Sequence, residues 1–286
     1  MHEKTWVKAF SGKKIAILGG TGTLGKALVE ILVSDAVGLE KIVVYSRDEL
    51  KQLEMIEEYP QQEYPMIEFL IGDVRDKDRL VEVLTGIDFV IHAAAIKHVV
   101  IAEKNPKECY KTNVSGTSNV VKACLENKVN KALFISTDKA ENPIGIYGQS
   151  KSEAEKLFMK ANEESTIQFG VVRLGNIVGS RGSVWEAFEK QKKKGVLKVT
   201  HEDATRFFIS VNEAVDFVLK SLIDMDTNSF VFPEMKAFRV MDLAKATCPN
   251  CKIEITGLRP GDKLHEELGG MSSVDFVVPK VINEEV

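Results

Sequence analysis

Six uninterrupted apolar runs, each the length of one strand, recur along the chain: KIAIL at 14–18, KIVVY at 41–45, IEFLI at 67–71, DFVIHA at 88–93, ALFIS at 132–136 and FGVVRL at 169–174. Helix-spaced stretches separate them, with Leu24, Ala27, Leu28, Ile31 and Leu32 on one face of the first and Ala154, Leu157 and Phe158 on one face of the fifth. A strand that is apolar on both faces must be covered on both, and helices between successive strands make those strands parallel. The pattern predicts an α/β fold, a doubly wound parallel sheet. Beyond residue 174 the pattern turns irregular, with a basic run at Lys192, Lys193 and Lys194, a helix-like VNEAVDFVLKSLI, a short FVF and a turn at Arg259-Pro260-Gly261. The expected division is a sheet domain from 1–174 and 209–231, with a smaller, interleaved C-terminal substrate-binding domain from 175–208 and 232–286.

A chain of 286 residues can bury roughly three quarters of its unfolded surface and needs no disulfide or metal staple. Its formal net charge of -4 argues against a nucleic-acid surface, which would need a basic face. The opening MHEKTWVKAFSGKK lacks the apolar core of a signal peptide, and no run approaches the ~18 apolar residues of a membrane helix, so no membrane insertion and a cytoplasmic location are expected. Four cysteines are too sparse for a disulfide framework. Cys248-Pro-Asn-Cys251 lacks the second ligand pair of a zinc site, so these read as incidental thiols and no metal is expected.

The first strand runs directly into Gly19-Gly20-Thr21-Gly22-Thr23-Leu24-Gly25. Glycines between a strand and a helix give a tight turn, let a pyrophosphate approach the backbone and place it at the helix N-terminus. That context predicts a Rossmann-like dinucleotide site. The end of the second strand discriminates cofactors, because an acid there suits a ribose 2′-hydroxyl and a base suits a 2′-phosphate. Here it reads Tyr45-Ser46-Arg47-Asp48, so Ser46 and Arg47 favour NADP, while Asp48 is also placed to cap the next helix. Asp73 and Val74 follow the third strand, where Asp73 could accept from the adenine amino group or cap a helix near Arg75. Ala93, Ala94 and Ala95 after the fourth strand let a cofactor pass close to the backbone. His92 beside them reads as a packed structural residue.

Tyr147 and Lys151 stand four apart, one helical turn on the same face. A free phenol with a pKa near ~10 is about one part in a thousand ionised at neutral pH, so a tyrosine base needs that value lowered, and a neighbouring ammonium supplies such a shift.

Together GGTGTLG, HAAAIKHV, STDKA, YGQSK and RPGDKLHE resemble the extended short-chain dehydrogenases and, within them, the UDP-N-acetylglucosamine 4,6-dehydratases of polysaccharide biosynthesis. The resemblance spans about 13–267. The glycine loop and the Tyr/Lys pair mark the superfamily; Ser136-Thr137-Asp138-Lys139-Ala140, Lys97-His98 and the segment from Arg259 to Glu266 are narrower. A 4-epimerase needs only Tyr147, Lys151 and a hydroxyl near Thr137. Eliminating water across carbons 5 and 6 needs two more groups, since a carbon 4 ketone acidifies the carbon 5 proton, which a base removes while an acid protonates the departing hydroxyl. The resemblance implies Asp138 as acid and Lys139 as base, the latter made partly neutral by desolvation and a nearby cation. The alternative is a strand-end salt bridge.

The resemblance further implies that Thr137 bonds the reacting hydroxyl, that Lys151 holds the nicotinamide ribose and tunes Tyr147, and that Asn113 belongs to the supporting hydrogen-bond network or only kinks its helix. For the UDP-sugar it implies Asn176, Arg181, Arg206 and Arg259 toward the diphosphate, Lys97 and His98 nearer the sugar, and Glu266 at the uridine ribose. Tyr147 fits the branch that inverts carbon 5. Glu141 and Trp185 depart from the family pattern. A homo-oligomer assembled through helices near 106–125 and 145–162 is the usual state of the resembled family. A UDP-sugar 4-epimerase, a dTDP-glucose-type dehydratase, which usually carries Asp-Glu at the Asp138-Lys139 position, and a non-catalytic NADP-binding scaffold are the competing readings.

Overall fold

The computed structural model describes residues 6–35, 38–225 and 229–277, so the ends of the two expected domains at 1–5 and 278–286 lie outside the described residues. The six apolar runs form β1 (Lys14–Leu18), β2 (Lys41–Ser46), β3 (Ile67–Ile71), β4 (Phe89–His92), β5 (Lys131–Thr137) and β6 (Gln168–Leu174). Between them lie α1 (Thr23–Asp35), α2 (Glu49–Glu58), α3 (Lys77–Val83), α4 (Val99–Lys104), α5 (Pro106–Tyr110), α6 (Gly116–Asn127) and α7 (Ile146–Glu164). The chain then leaves the sheet for β7 (Asn176–Ile177), α8 (Val184–Lys192), β8 (Val196–Val199) and β9 (Thr205–Ile209), and returns through α9 (Val211–Ile223) to β10 (Phe230–Val231). The last segment adds β11 (Lys236–Arg239), α10 (Val240–Thr247) and β12 (Lys252–Ile255).

The main sheet is parallel throughout, in the order β10-β6-β5-β4-β1-β2-β3. It is a Rossmann-like doubly wound sheet. One face packs Leu28, Leu32, Val215, Leu219 and Leu222 from α1 and α9; the other packs Leu80, Val120, Ala154 and Phe158 from α3, α6 and α7. A third core of Phe188, Leu197, Phe208, Phe238 and Leu243 holds the C-terminal elements, where β9 lies between β11 and β7.

Strand order reverses between β1 and β4, and a crevice opens there beyond the carboxyl ends of the strands. The loops after these strands touch. Gly19 has φ +88°, and a Cβ on it would stand 2.7 Å from the Ala94 backbone nitrogen. A Cβ on Gly25 would stand 2.5 Å from the Gly20 backbone, so α1 can press against its own loop only with glycine there.

Two local readings are corrected. Cys248 and Cys251 are bonded to each other, not incidental thiols, because the turn after α10 brings their Cα atoms to 5.3 Å. The helix expected near Arg75 begins at Lys77, with Asp76 as its cap accepting from the Arg79 amide at 3.0 Å.

Candidate active site

β5 ends at Thr137 and breaks at once into a 3-10 turn, Asp138–Ala140, so that Asp138 and Lys139 leave the sheet edge beside the start of α7. Gly148 lets these elements meet, since a Cβ on it would stand 2.2 Å from the Lys139 carbonyl oxygen. The start of α7 is held by Glu103, which accepts from the Ile146 amide at 2.6 Å. Lys139, Tyr147, Lys263 and Glu266 line one small cleft.

Asp138 is wholly buried, and its Oδ1 accepts from the Thr137 hydroxyl at 2.9 Å and from Lys139 Nζ at 3.0 Å. Its Oδ2 has no partner among the described residues. Lys139 Nζ also stands 3.3 Å from Glu266 Oε1. Burial pulls the Lys139 ammonium downward, but the carboxylates of Asp138 and Glu266 outweigh it and raise its pKa above the ordinary lysine value. The expected partly neutral lysine is therefore corrected: two anions face it, and the charge of Arg206 opposes them without outweighing them.

Tyr147 is buried, which pushes its phenol up to about 12, while the charge of Lys139 and a hydrogen bond with Thr137 act in the opposite direction. Lys151 does not supply that cation. Its long stem carries Nζ down to the Ile135 carbonyl at 2.6 Å and over the Phe134 ring at 3.8 Å. Burial lowers its pKa to about 7, against the opposing pull of Glu155 and Cys109. One-turn spacing put tyrosine and lysine on one face, as read, but the ammonium whose charge bears on the phenol is that of Lys139.

The cofactor residues surround the crevice. Gly19, Thr21, Gly22, Thr23, Leu24 and Gly25 form the loop and first turn of α1; the amides of Gly19 and Gly22 are bonded to the Tyr45 and Gly19 carbonyls, and the start of a helix is where N–H groups are left over for an anion. Ala93, Ala94 and Ala95 lie across from them. The glycine cradle, closed to any larger residue, fits a dinucleotide pyrophosphate. Ser46 Oγ is engaged by Gln52 at 3.2 Å, and Arg47 is half-exposed with one nitrogen 3.3 Å from Asp73. Asp73 is tied to its neighbour: Arg75 clamps its carboxylate at 2.7 and 2.9 Å, and its Oδ1 accepts from the Arg75 amide. Val74 is buried against Gly116. The Asn113 amide is likewise spent on protein, bonding Ile96 N at 2.8 Å, Ile96 O at 3.0 Å and Ser150 Oγ at 2.9 Å. It sits in a π-helical turn, Lys111–Ser115, and ties the loop after β4 to α7.

Several expected substrate groups are otherwise engaged. Arg206 spends its fork on the carbonyls of Thr205, Leu264 and Lys263 and approaches Glu266 at 3.5 Å. Glu266 is 1% exposed and faces Lys139. Arg181 hangs beside the glycine loop, its amide 3.3 Å from Thr23 Oγ1 and its guanidinium 3.9 Å from Glu54. Arg259 is clasped by Asp262 at 2.7 Å, and Asn176 by the Phe207 carbonyl at 2.9 Å. Lys97 and His98 stand at the N-terminal end of α4, and desolvation lowers the pKa of each. His98 lies against Gly182.

Sequence reasoning missed how the C-terminal segment is fastened to the site. Glu141, noted only as a departure, pairs with Arg173 and accepts from the amides of Gly269 and Gly270, both at 2.8 Å. Lys263 donates to the Glu141 carbonyl. The bonds from Lys263, Gly269 and Gly270 span more than a hundred residues and leave no local periodicity to read.

A family of polysaccharide biosynthesis proteins matches residues 15–279. A Campylobacter jejuni protein named UDP-N-acetylglucosamine 4,6-dehydratase (inverting) is 46% identical over 90% of this chain and 77% of its own length. A Rickettsia rickettsii protein named UDP-glucose 4-epimerase is 37% identical over 91% of this chain and 78% of its own. The solved structure of Pen from Bacillus thuringiensis is 36% identical, with TM-score 0.86, covering 90% of this chain and 82% of that one. The chain belongs to this polysaccharide biosynthesis family, within the extended short-chain dehydrogenases.

Proposed function

We propose that this enzyme dehydrates UDP-N-acetylglucosamine across carbons 5 and 6, with NADP as cofactor and inversion at carbon 5, giving a UDP-4-keto-6-deoxy-N-acetylhexosamine. The observation that carries the reading is the Asp138–Lys139 pair at the end of β5, Lys139 lining one site with Tyr147 and the buried Asp138 Oδ2 having no partner among the described residues. The name of the 46% identical relative supports it. The epimerase name of another relative supports a second reading, but exchange at carbon 4 gives a paired carboxylate and ammonium nothing to do.

Bound NADP would supply the hydride acceptor for carbon 4 and the donor for carbon 6. Tyr147 takes the proton of the carbon 4 hydroxyl, with Thr137 bonding the same oxygen. Lys139 takes the carbon 5 proton and Asp138 gives one to the departing carbon 6 hydroxyl. Lys151 holds the nicotinamide ribose, and Lys97 and His98 face the sugar. We assign 1–174 and 209–231 to the cofactor part and the remainder to the sugar nucleotide, in a cytoplasmic homo-oligomer.

The test is incubation with UDP-N-acetylglucosamine and catalytic NADP in deuterated water, followed by NMR and mass spectrometry. A 4-keto-6-deoxy product carrying deuterium at an inverted carbon 5 is expected. UDP-N-acetylgalactosamine as the sole product would replace this reading with the epimerase. For the cofactor, Arg47→Ala should raise the KM for NADP roughly tenfold to a hundredfold, the worth of a charge-assisted hydrogen bond, and leave that for NAD within about twofold. Equal losses for both cofactors would remove Arg47 from 2′-phosphate recognition.

A further inference from the structure

Lys139 poses a problem for the chemistry just assigned to it, because a base needs a vacant lone pair and this amine is an ammonium clasped between carboxylates. The proton must have somewhere to go before carbon 5 can be attacked. Glu266 Oε1 is 3.3 Å from Lys139 Nζ. The other oxygen, Oε2, is buried without a partner among the described residues, an expensive arrangement for a carboxylate with no further task. The residue is held in place by its backbone, whose amide donates to Ser273 Oγ at 2.9 Å, and Ser273 in turn bonds Thr205 at 2.6 Å.

We infer that Glu266 is a positioning residue for the elimination: it keeps Lys139 charged in the resting site and accepts that proton when the sugar arrives, freeing the amine as base. This rests on the dehydratase reading. The step balances. The Lys139 ammonium gives a proton to the Glu266 carboxylate, leaving an amine and a carboxylic acid. The amine lone pair then takes the carbon 5 proton, and the C5–H electron pair moves toward the carbon 4 ketone. It then forms the C5–C6 double bond as the C6–O bond breaks, and that oxygen leaves as water with the proton of Asp138.

Two features drive the transfer. A sugar covering the cleft removes water from an ion pair, which favours the neutral pair over the charged one. Asp138, to serve as acid, must carry a proton, which the carbon 4 hydroxyl supplies as it is oxidised, passed by Tyr147 through the Thr137 hydroxyl that bonds Asp138 at 2.9 Å; one of the two anions holding Lys139 charged is then gone. Arg206, 3.5 Å from Glu266 Oε1, favours the carboxylate and so returns the site to its resting state. The ionisable groups bearing on the pair are Asp138, Arg206 and Tyr147.

Two measurements test this. In the wild-type protein with labelled lysine, the Lys139 side-chain resonance, identified by its loss in Lys139→Arg, should remain that of an ammonium to above pH ~10. Titration at or below the ordinary lysine value would overturn the inference, since no acceptor would be needed. With Glu266→Gln the same resonance should titrate at least tenfold more readily. Its kcat should fall tenfold or more near pH 7 and then climb with pH, because Lys139 must now lose its proton to solvent. Glu266→Asp should restore the flatter wild-type profile. A Glu266→Gln profile parallel to wild type, lower by one factor at every pH, would make Glu266 merely structural and overturn the inference. If Glu266→Gln does not fold, the wild-type titration and Glu266→Asp decide. If the wild-type enzyme yields no dehydrated sugar, the dehydratase reading falls, while the Lys139 titrations still decide whether Glu266 holds its proton.

Discussion

Tyr147→Phe is expected to lower turnover by about 10²–10⁴, the usual worth of a positioned acid–base group, with little change in fold or cofactor affinity. The phenol is buried beside Thr137 and within reach of the Lys139 charge, so phenylalanine fills the same space and removes only the group that takes the carbon 4 proton. The informative readout is deuterium exchange at carbon 5. That proton becomes acidic only after carbon 4 is a ketone, so Tyr147→Phe should abolish exchange together with product. Asp138→Asn should block loss of water and leave exchange at carbon 5, because Lys139 still works on the ketone. Exchange surviving in Tyr147→Phe would mean that another group deprotonates the hydroxyl. The phenol at about 12 needs help to ionise, and with Lys151 turned to the Ile135 carbonyl, the nearby cation giving that help is Lys139. Lys139→Met should therefore slow oxidation at carbon 4 as well as elimination, which pre-steady-state absorbance of reduced cofactor would resolve.

The main sheet was legible because each of its six long strands is apolar on both faces and each crossover helix carries one apolar stripe; no end of an observed strand differs from the expected run by more than one residue. The glycine loop was legible for a similar reason, since close approach of backbone to backbone admits one residue type. Side-chain destinations were not. Lys151 and Tyr147 share a face, but the flexible lysine stem reaches β5. Arg206 looked like a phosphate ligand, yet the backbone carbonyls at 205, 263 and 264 claim its fork. Glu266 lies 127 positions from Lys139 in sequence, and no spacing rule predicts that they meet. The Cys248–Cys251 bond was misread because a lone CxxC has no sequence context that separates a bonded pair from two thiols.

Gly148→Ala is expected to lower kcat by about 10²-fold, the cost of displacing reacting groups by roughly 1 Å. The added methyl would stand 2.2 Å from the Lys139 carbonyl oxygen and 3.1 Å from Pro143 Cβ, so α7 and the Asp138–Ala140 turn must separate. Neither can yield elsewhere at low cost. α7 is fixed by Glu103 at its N-terminus and by Ala154 and Phe158 in the core; the turn is fixed by the Lys139–Glu266 contact and by the pairing of β5 with β6. Separation moves Lys139 and Asp138 relative to Tyr147 while leaving the glycine loop at the other end of the crevice untouched. NADP affinity should therefore stay within about threefold, and stability should fall by about 1–3 kcal/mol, as for other overpacked sites. Cofactor binding followed by fluorescence, denaturant midpoints and kcat separate these effects. A fall in NADP affinity as large as the fall in kcat would show that the strain spreads through the sheet. Wild-type kcat would show that the turn does not need its present seat against α7.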